Sequence, residues 1–289
     1  MPGEKILKIN GVDICAESFG DPNDPAALLI MGAMASMIWW DEEFCKRLAE
    51  RGRYVIRYDN RDVGRSTAYE PGTINYDIAD MAEDAVGVLA ALGIERAHFI
   101  GMSLGGMISQ IVALKYPEKV LSLSFIASGG LFSDPELPSI NQNVLDYHSK
   151  GSGIDWSDRS ETVEFMVGGW RLLSGSGRKF IDGEARKLAE TEFDRANNLQ
   201  SMFNHAQLKG GEEYTDRMNE IKSPTLIIHG TDDPVLPYQH ALALKKAIRN
   251  SRLVTLDGVG HEIHRDDWDR IVEELIAVSW GKDEIRLSD

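Results

Sequence analysis

The sequence predicts an α/β protein with a mostly parallel, twisted sheet, helices on both faces and an inserted helical cap. Three observations carry that expectation. Short apolar runs alternate with amphipathic stretches over residues 26–127, as strands and helices of a parallel sheet do. The alternation stops after Gly129-Gly130, and residues 131–213 hold polar helical segments broken by Gly151-Ser152-Gly153, Gly168-Gly169 and Gly175-Ser176-Gly177. It resumes at Pro224 and runs to the last predicted helix. The expected organisation is a core of residues 1–130 and 214–289 with a cap of 131–213.

In chain order, residues 6–9 and 12–19 alternate apolar and polar around Asn10-Gly11, a strong hairpin signal. A loop rich in Asp and Pro, 20–25, leads to a continuous apolar strand over 26–31. A helix is expected over 42–51, a strand over 54–58 and an amphipathic helix over 77–92 that Gly93 ends. The run Ala97-His98-Phe99-Ile100 reads as a buried strand, and 107–116 as a helix stopped by Pro117. Further strands are expected over 120–127, 225–229 and 252–256, and helices over 238–248 and 267–279.

The 289 residues are 43% hydrophobic, enough for one sizeable core. Lys and Arg number 31 against 46 Asp and Glu, a formal net charge of −15. So acidic a surface repels nucleic acid and anionic membrane, and neither is expected as a partner. The two cysteines, Cys15 and Cys45, do not form a disulfide framework and suit a reducing compartment as small apolar residues. The N-terminus shows no basic region followed by an apolar core, and no apolar run approaches the roughly 20 residues that span a bilayer. A cytoplasmic location is expected, with no preference between monomer and homodimer.

Between the strand over 97–100 and the following helix lies Gly101-Met102-Ser103-Leu104-Gly105-Gly106. A Gly-x-Ser-x-Gly turned sharply between strand and helix presents its serine above the sheet, over a helix N-terminus. The flanking glycines remove side chains that would crowd the strained serine. A serine hydroxyl needs a base to take its proton and a third group to orient that base. In such a sheet the partners belong just beyond the carboxyl ends of later strands. After the strand over 225–229 come Asp232 and Asp233, and after the strand over 252–256 come His261 and His264. The stretch His261-Glu262-Ile263-His264 spaces its histidines by three rather than four and has no evident third ligand, so no metal is expected. His98 and His229 fall on strands and are expected to be structural. His148, His205 and His240 are expected on the surface or in the cap.

These residues carry a resemblance. From about Ile6 to Trp280 the chain resembles the α/β-hydrolase superfamily. Within it, the chain is similar to small serine esterases and enol-lactonases, most of all the aclacinomycin methylesterase type. The closer likeness lies in Met31-Gly32-Ala33, in the run Val55-Ile56-Arg57-Tyr58-Asp59-Asn60-Arg61-Asp62-Val63-Gly64-Arg65-Ser66-Thr67, and in Trp170-Arg171-Leu172-Leu173-Ser174-Gly175. The resemblance implies the α/β-hydrolase fold and cofactor-free hydrolysis of a small to medium carboxylic ester or lactone. By it, Ser103 is the nucleophile, His261 the general base and acid, and Asp233 the orienting acid. Asp233 stands four residues before Pro237, where the family pattern puts the acid; Asp232 would cap the turn. The same pattern makes the backbone N–H groups of Ala33 and Leu104 the oxyanion hole. Most relatives carry His-Gly at Met31-Gly32. This chain departs from that, as the methylesterase type does, losing a polar side chain at the pocket floor.

Other chemistries on this fold follow from the same resemblance. Epoxide hydrolases and dehalogenases place aspartate at the elbow, and Ser103 argues against both. Cofactor-free haloperoxidase or perhydrolase activity and C–C bond hydrolysis use the same triad and stay open. A non-catalytic small-ligand receptor is a rival of another class, disfavoured by an intact triad. Asp59 to Ser66 is charged, and a turn and salt-bridge role is expected there. Met34, Trp39, Phe132 and Trp170 are expected as pocket walls, from a wider set that includes Trp40, Trp156, Phe165 and Phe203.

Overall fold

A computed structural model describes residues 3–279. Residues 280–289, which the expected core includes, lie outside the described residues, as do residues 1 and 2. Eight strands form one sheet in the order β1-β2-β4-β3-β5-β6-β7-β8. The hairpin β1 (Lys5–Ile9) and β2 (Val12–Phe19) is antiparallel and turns at Asn10-Gly11, both with positive φ. β2 joins β4 (Tyr54–Tyr58) antiparallel, and every later pairing is parallel. These are β3 (Ala26–Ile30), β5 (Ala97–Met102), β6 (Val120–Ile126), β7 (Thr225–Gly230) and β8 (Ser251–Leu256).

Residues of β3, β5 and β7 are buried throughout, because helices cover both faces. One face packs against α2 (Ile78–Ala91), α3 (Leu104–Lys115) and α7 (Gln239–Ala247), through Met81, Ala85, Val88, Ile108, Ile111 and Leu244. The other packs against α1 (Glu42–Glu50) and α8 (Trp268–Ser279), through Phe44, Leu48, Ile271 and Leu275. The helix ends follow local chemistry. Asp77 and Asp80 cap α2 reciprocally, and Asp41 accepts from the Glu43 N–H at the start of α1.

Between β6 and β7 the described chain contains no strand. It runs through α4 (Gln142–Ser149), α5 (Arg159–Leu173), α6 (Asp182–Arg195) and a 3₁₀ stretch, Leu199–Gln207. α5 and α6 share a small apolar cluster of Val163, Met166, Val167 and Ala189. β3 lies between β4 and β5, so the chain steps from β3 to β4 on one side and then crosses back to β5 on the other. Open parallel sheets bind ligands at the carboxyl ends of strands beside such a reversal.

Candidate active site

The elbow sits at that reversal. β5 ends at Met102 and α3 begins at Leu104, which leaves Ser103 to make the turn at φ 50° and ψ −119°. The turn closes only without neighbouring side chains. A Cβ on Gly101 would lie 2.3 Å from the Gly105 carbonyl carbon, and one on Gly105 would lie 2.0 Å from the Ile30 oxygen. The backbone is fastened by Ser103 N–H to the Ile126 carbonyl at 3.0 Å, while the Ser128 hydroxyl donates to the Ser103 carbonyl at 2.7 Å. Leu104 is the first residue of α3, so its N–H has no carbonyl one turn back to bond.

Asp233 follows β7 and is fully buried at its side chain. Its Oδ1 accepts from the N–H groups of Val235 and Leu236, at 2.8 and 2.9 Å, which fixes the carboxylate plane. Its Oδ2 accepts from His261 Nδ1 at 2.8 Å. The His261 proton is therefore on Nδ1, and Nε2 is left able to take another. A second histidine adds to the acid. His229 Nε2 lies 2.7 Å from the Leu236 carbonyl and 3.3 Å from Asp233 Oδ2. A carbonyl only accepts, so Nε2 carries the proton and shares it with the carboxylate. Burial alone would raise the Asp233 carboxyl. The charge interaction with His261 and the hydrogen bonds from His229 and His261 outweigh burial and hold it well below the usual carboxylate range. Asp232, by contrast, is exposed, and its Oδ2 accepts from Ser176.

Ser103 and His261 line one cavity of about 730 Å³, counted with its mouth. Its walls include Met31, Met102, Phe165, Met166, Leu173 and Met202, so it is strongly apolar. Ala33, Met34, Trp39 and Trp170 belong to it, as do Phe203 and His148. Trp39 and Trp170 meet edge-to-face at 4.4 Å between ring centroids. They stand between this cavity and a second, more open one that also reaches His261.

Other expected wall residues are elsewhere. Phe132 packs against the core cluster around α3, in space that Gly130 leaves for its ring, and is absent from the cavity lining. Trp40 is fully buried beside Phe44, and Trp156 packs on Phe165 and Phe203 without lining the cavity. His264 caps the short turn Arg265–Asp267. His98 is buried against Ser122.

Asp59 to Ser66 forms a buried polar turn. Arg61 pairs with Asp84, and Asp59 Oδ1 accepts from the Met37 N–H at 2.8 Å while Asp59 Oδ2 takes Arg195 Nη2 at 2.6 Å. Arg195 belongs to α6, so this turn ties the insertion to the sheet. Glu192, one turn earlier, accepts from Ser36 N–H at 3.2 Å and Ser36 Oγ at 2.6 Å. His229, Glu192 and His205 are site-supporting residues that the sequence did not single out. None lies in a recognisable motif; the partners of Glu192 and His205 are far off in the chain, whereas His229 meets Asp233 four residues on. His205 lies in the insertion and is buried rather than on the surface.

No described helix is long and apolar enough to cross a membrane. The sequence-family model for the alpha/beta hydrolase fold matches residues 27–267. Rhodomycin D methylesterase DauP of Streptomyces sp. (strain C5) is 33% identical, with 91% of this chain and 93% of DauP covered. Rhodomycin D methylesterase DnrP of Streptomyces peucetius is 32% identical, with 90% and 92% covered. The solved structure of esterase EaEST from Exiguobacterium antarcticum superposes with a TM-score of 0.76 at 21% identity, covering 96% of this chain and 99% of its own, a likeness of fold. With a family model spanning most of the chain and methylesterases a third identical over nearly all of it, the chain belongs to the α/β-hydrolase fold family and is a carboxylic ester hydrolase within it.

Proposed function

We propose that the chain cleaves a carboxylic ester with an apolar acid portion and a small alcohol, through a Ser103-His261-Asp233 triad. The observation that carries this is the His261–Asp233 hydrogen bond at 2.8 Å with His261 and Ser103 lining one apolar cavity. His261 Nε2 takes the Ser103 proton as the hydroxyl oxygen attacks the ester carbonyl carbon. The oxyanion is held by the N–H groups of Ala33 and Leu104, over the N-terminus of α3. His261 then gives its proton to the departing alkoxide. Water repeats the sequence, releasing the acid and restoring Ser103. Asp233 keeps His261 in the productive tautomer and stabilises the imidazolium. Residues 131–213 form the cap that walls the acyl site with Phe165, Trp170 and Phe203, and Met34 and Trp39 face them from the core side. The relatives' printed activity on methyl esters supports a small leaving alcohol.

Ser103→Ala should lower kcat on p-nitrophenyl acetate by about 10⁴-fold or more, with the thermal midpoint unchanged. A fluorophosphonate should label the wild-type protein at Ser103. Turnover by Ser103→Ala at the wild-type rate overturns the proposal.

A further inference from the structure

Three buried side chains hold the loop after β3 through its backbone. Met34 N–H donates to His205 Nδ1 at 2.9 Å, Ser36 N–H donates to Glu192, and Met37 N–H donates to Asp59. The His205 bond is nearest Ala33. It also meets a strained residue, since Met34 has a φ of 65° without being glycine. His205 Nε2 lies 2.7 Å from the Arg61 carbonyl. That oxygen can only accept, so the proton is on Nε2 and Nδ1 is a bare acceptor. The imidazole is thus committed at both ends, between the 3₁₀ stretch of the insertion, the Arg61 turn and the loop carrying Ala33.

We propose that His205 is a positioning residue for catalysis: by accepting from Met34 N–H it holds the Ala33 peptide where its N–H can meet the oxyanion. The inference rests on Ala33 acting as an oxyanion donor, as proposed above. Met34 N–H belongs to the peptide joined directly to Ala33. Releasing it lets Met34 leave the left-handed region and turns the Ala33 N–H with it. The loss then falls on the tetrahedral state, where the oxyanion exists, and not on the bound ester. Arg61 also gains a role here, since its carbonyl selects the tautomer that leaves Nδ1 free to accept.

The test compares His205→Leu with His205→Asn. The two replacements have the same number of side-chain heavy atoms branched at Cγ, but Asn keeps an oxygen near the Nδ1 position. With p-nitrophenyl acetate, His205→Leu should lose about ten- to a hundredfold in kcat, with KM within about threefold. Its affinity for a trifluoromethyl ketone, which forms an oxyanion on Ser103, should fall by the same factor, while affinity for the acid product holds. His205→Asn should recover kcat to within about fivefold of wild type. Equal kcat in the two variants, or a loss confined to KM, overturns the role. Should neither variant fold, ¹⁵N spectra of the wild-type protein decide: a proton on His205 Nδ1 overturns it, and a proton on Nε2 with a slowly exchanging Met34 amide supports it. The Ser103 label separates the two readings. Normal labelling and turnover with an unaffected His205→Leu removes only the His205 role, whereas an active Ser103→Ala removes the triad and the His205 role together.

Discussion

The sheet core and the helical insertion build the site in different ways. The core sets Ser103 and Asp233 by short-range backbone chemistry. Ser103 is turned by its own glycines, and Asp233 is aimed by N–H groups two and three residues ahead. The insertion works at long range. Its α5 end accepts from His261 N–H through the Leu173 carbonyl at 2.8 Å, and Gly177 N–H donates to the Gly258 carbonyl at 2.8 Å. Its α6 holds Ser36 and Asp59, and its 3₁₀ stretch holds Met34. The proposed reacting groups Ser103 and Asp233 therefore sit on the sheet core. The loops that carry His261 and Ala33 are fastened by a segment that also lines the cavity. Cavity lining and loop placement are thus coupled in one piece of chain, so on the proposed function substitutions that reshape the cavity from residues 131–213 also disturb catalysis.

Three substitutions can break that contrast. Asp233→Asn keeps the Oδ1 acceptor for Val235 and Leu236 but loses the carboxylate that selects the His261 tautomer. A kcat loss of about 10⁴-fold is expected with little change in thermal midpoint. A matching loss of stability would mean that the core acid is structural rather than catalytic. Arg195→Leu tests the opposite side. It strips the partner from Asp59, whose side chain is fully buried, and breaking such a pair costs about 3–5 kcal/mol. Denaturant unfolding should show that loss, with activity falling alongside because Asp59 also holds Met37. An unchanged midpoint would mean that the insertion is not fastened through this turn.

Glu192→Gln is the smallest of the three. Burial pushes the Glu192 carboxyl up to about 7, with the Ser36 hydrogen bonds and Arg195 only partly opposing it. A raised acid contributes its stability fully below its ordinary titration near 4.5 and loses it as pH rises toward about 7. Glutamine stays neutral and keeps the acceptor for Ser36. The variant should match wild type near pH 4.5 and become relatively more stable as pH rises, by on the order of 1–3 kcal/mol at pH 8. A difference that shrinks with pH would contradict the buried-acid reading of this tie.

The readings from sequence divide along the same line. Strand and helix positions in the core were legible because burial on both faces leaves continuous apolar runs, as over β3 and β5. The boundaries moved little. α3 starts at Leu104, ahead of its first clear periodicity, because the glycines of the elbow are themselves helical. Phe132 shows where pattern reading ends. An aromatic just after a glycine pair is equally suited to pocket wall or core, and the space beside Gly130 directs it to the core. His229 and His205 were unreadable for a related reason: a histidine's role lies in what its two nitrogens meet. One meets Asp233 four residues on; the other meets Met34, 171 residues away.

By itself, the sequence determined the α/β alternation, the strained serine turn and the order of serine, acid and histidine along the chain. The alternation and the turn depend on residues close to one another, where steric and hydrogen-bonding rules act locally, and the order is read directly along the chain. Only the tertiary structure decided how Asp233 is held against His261 and His229, which aromatics face the cavity, and that helices from residues 142–207 fasten the loops around Ser103. Those outcomes rest on buried hydrogen bonds between distant segments, which exist only once packing has excluded water and brought both partners together.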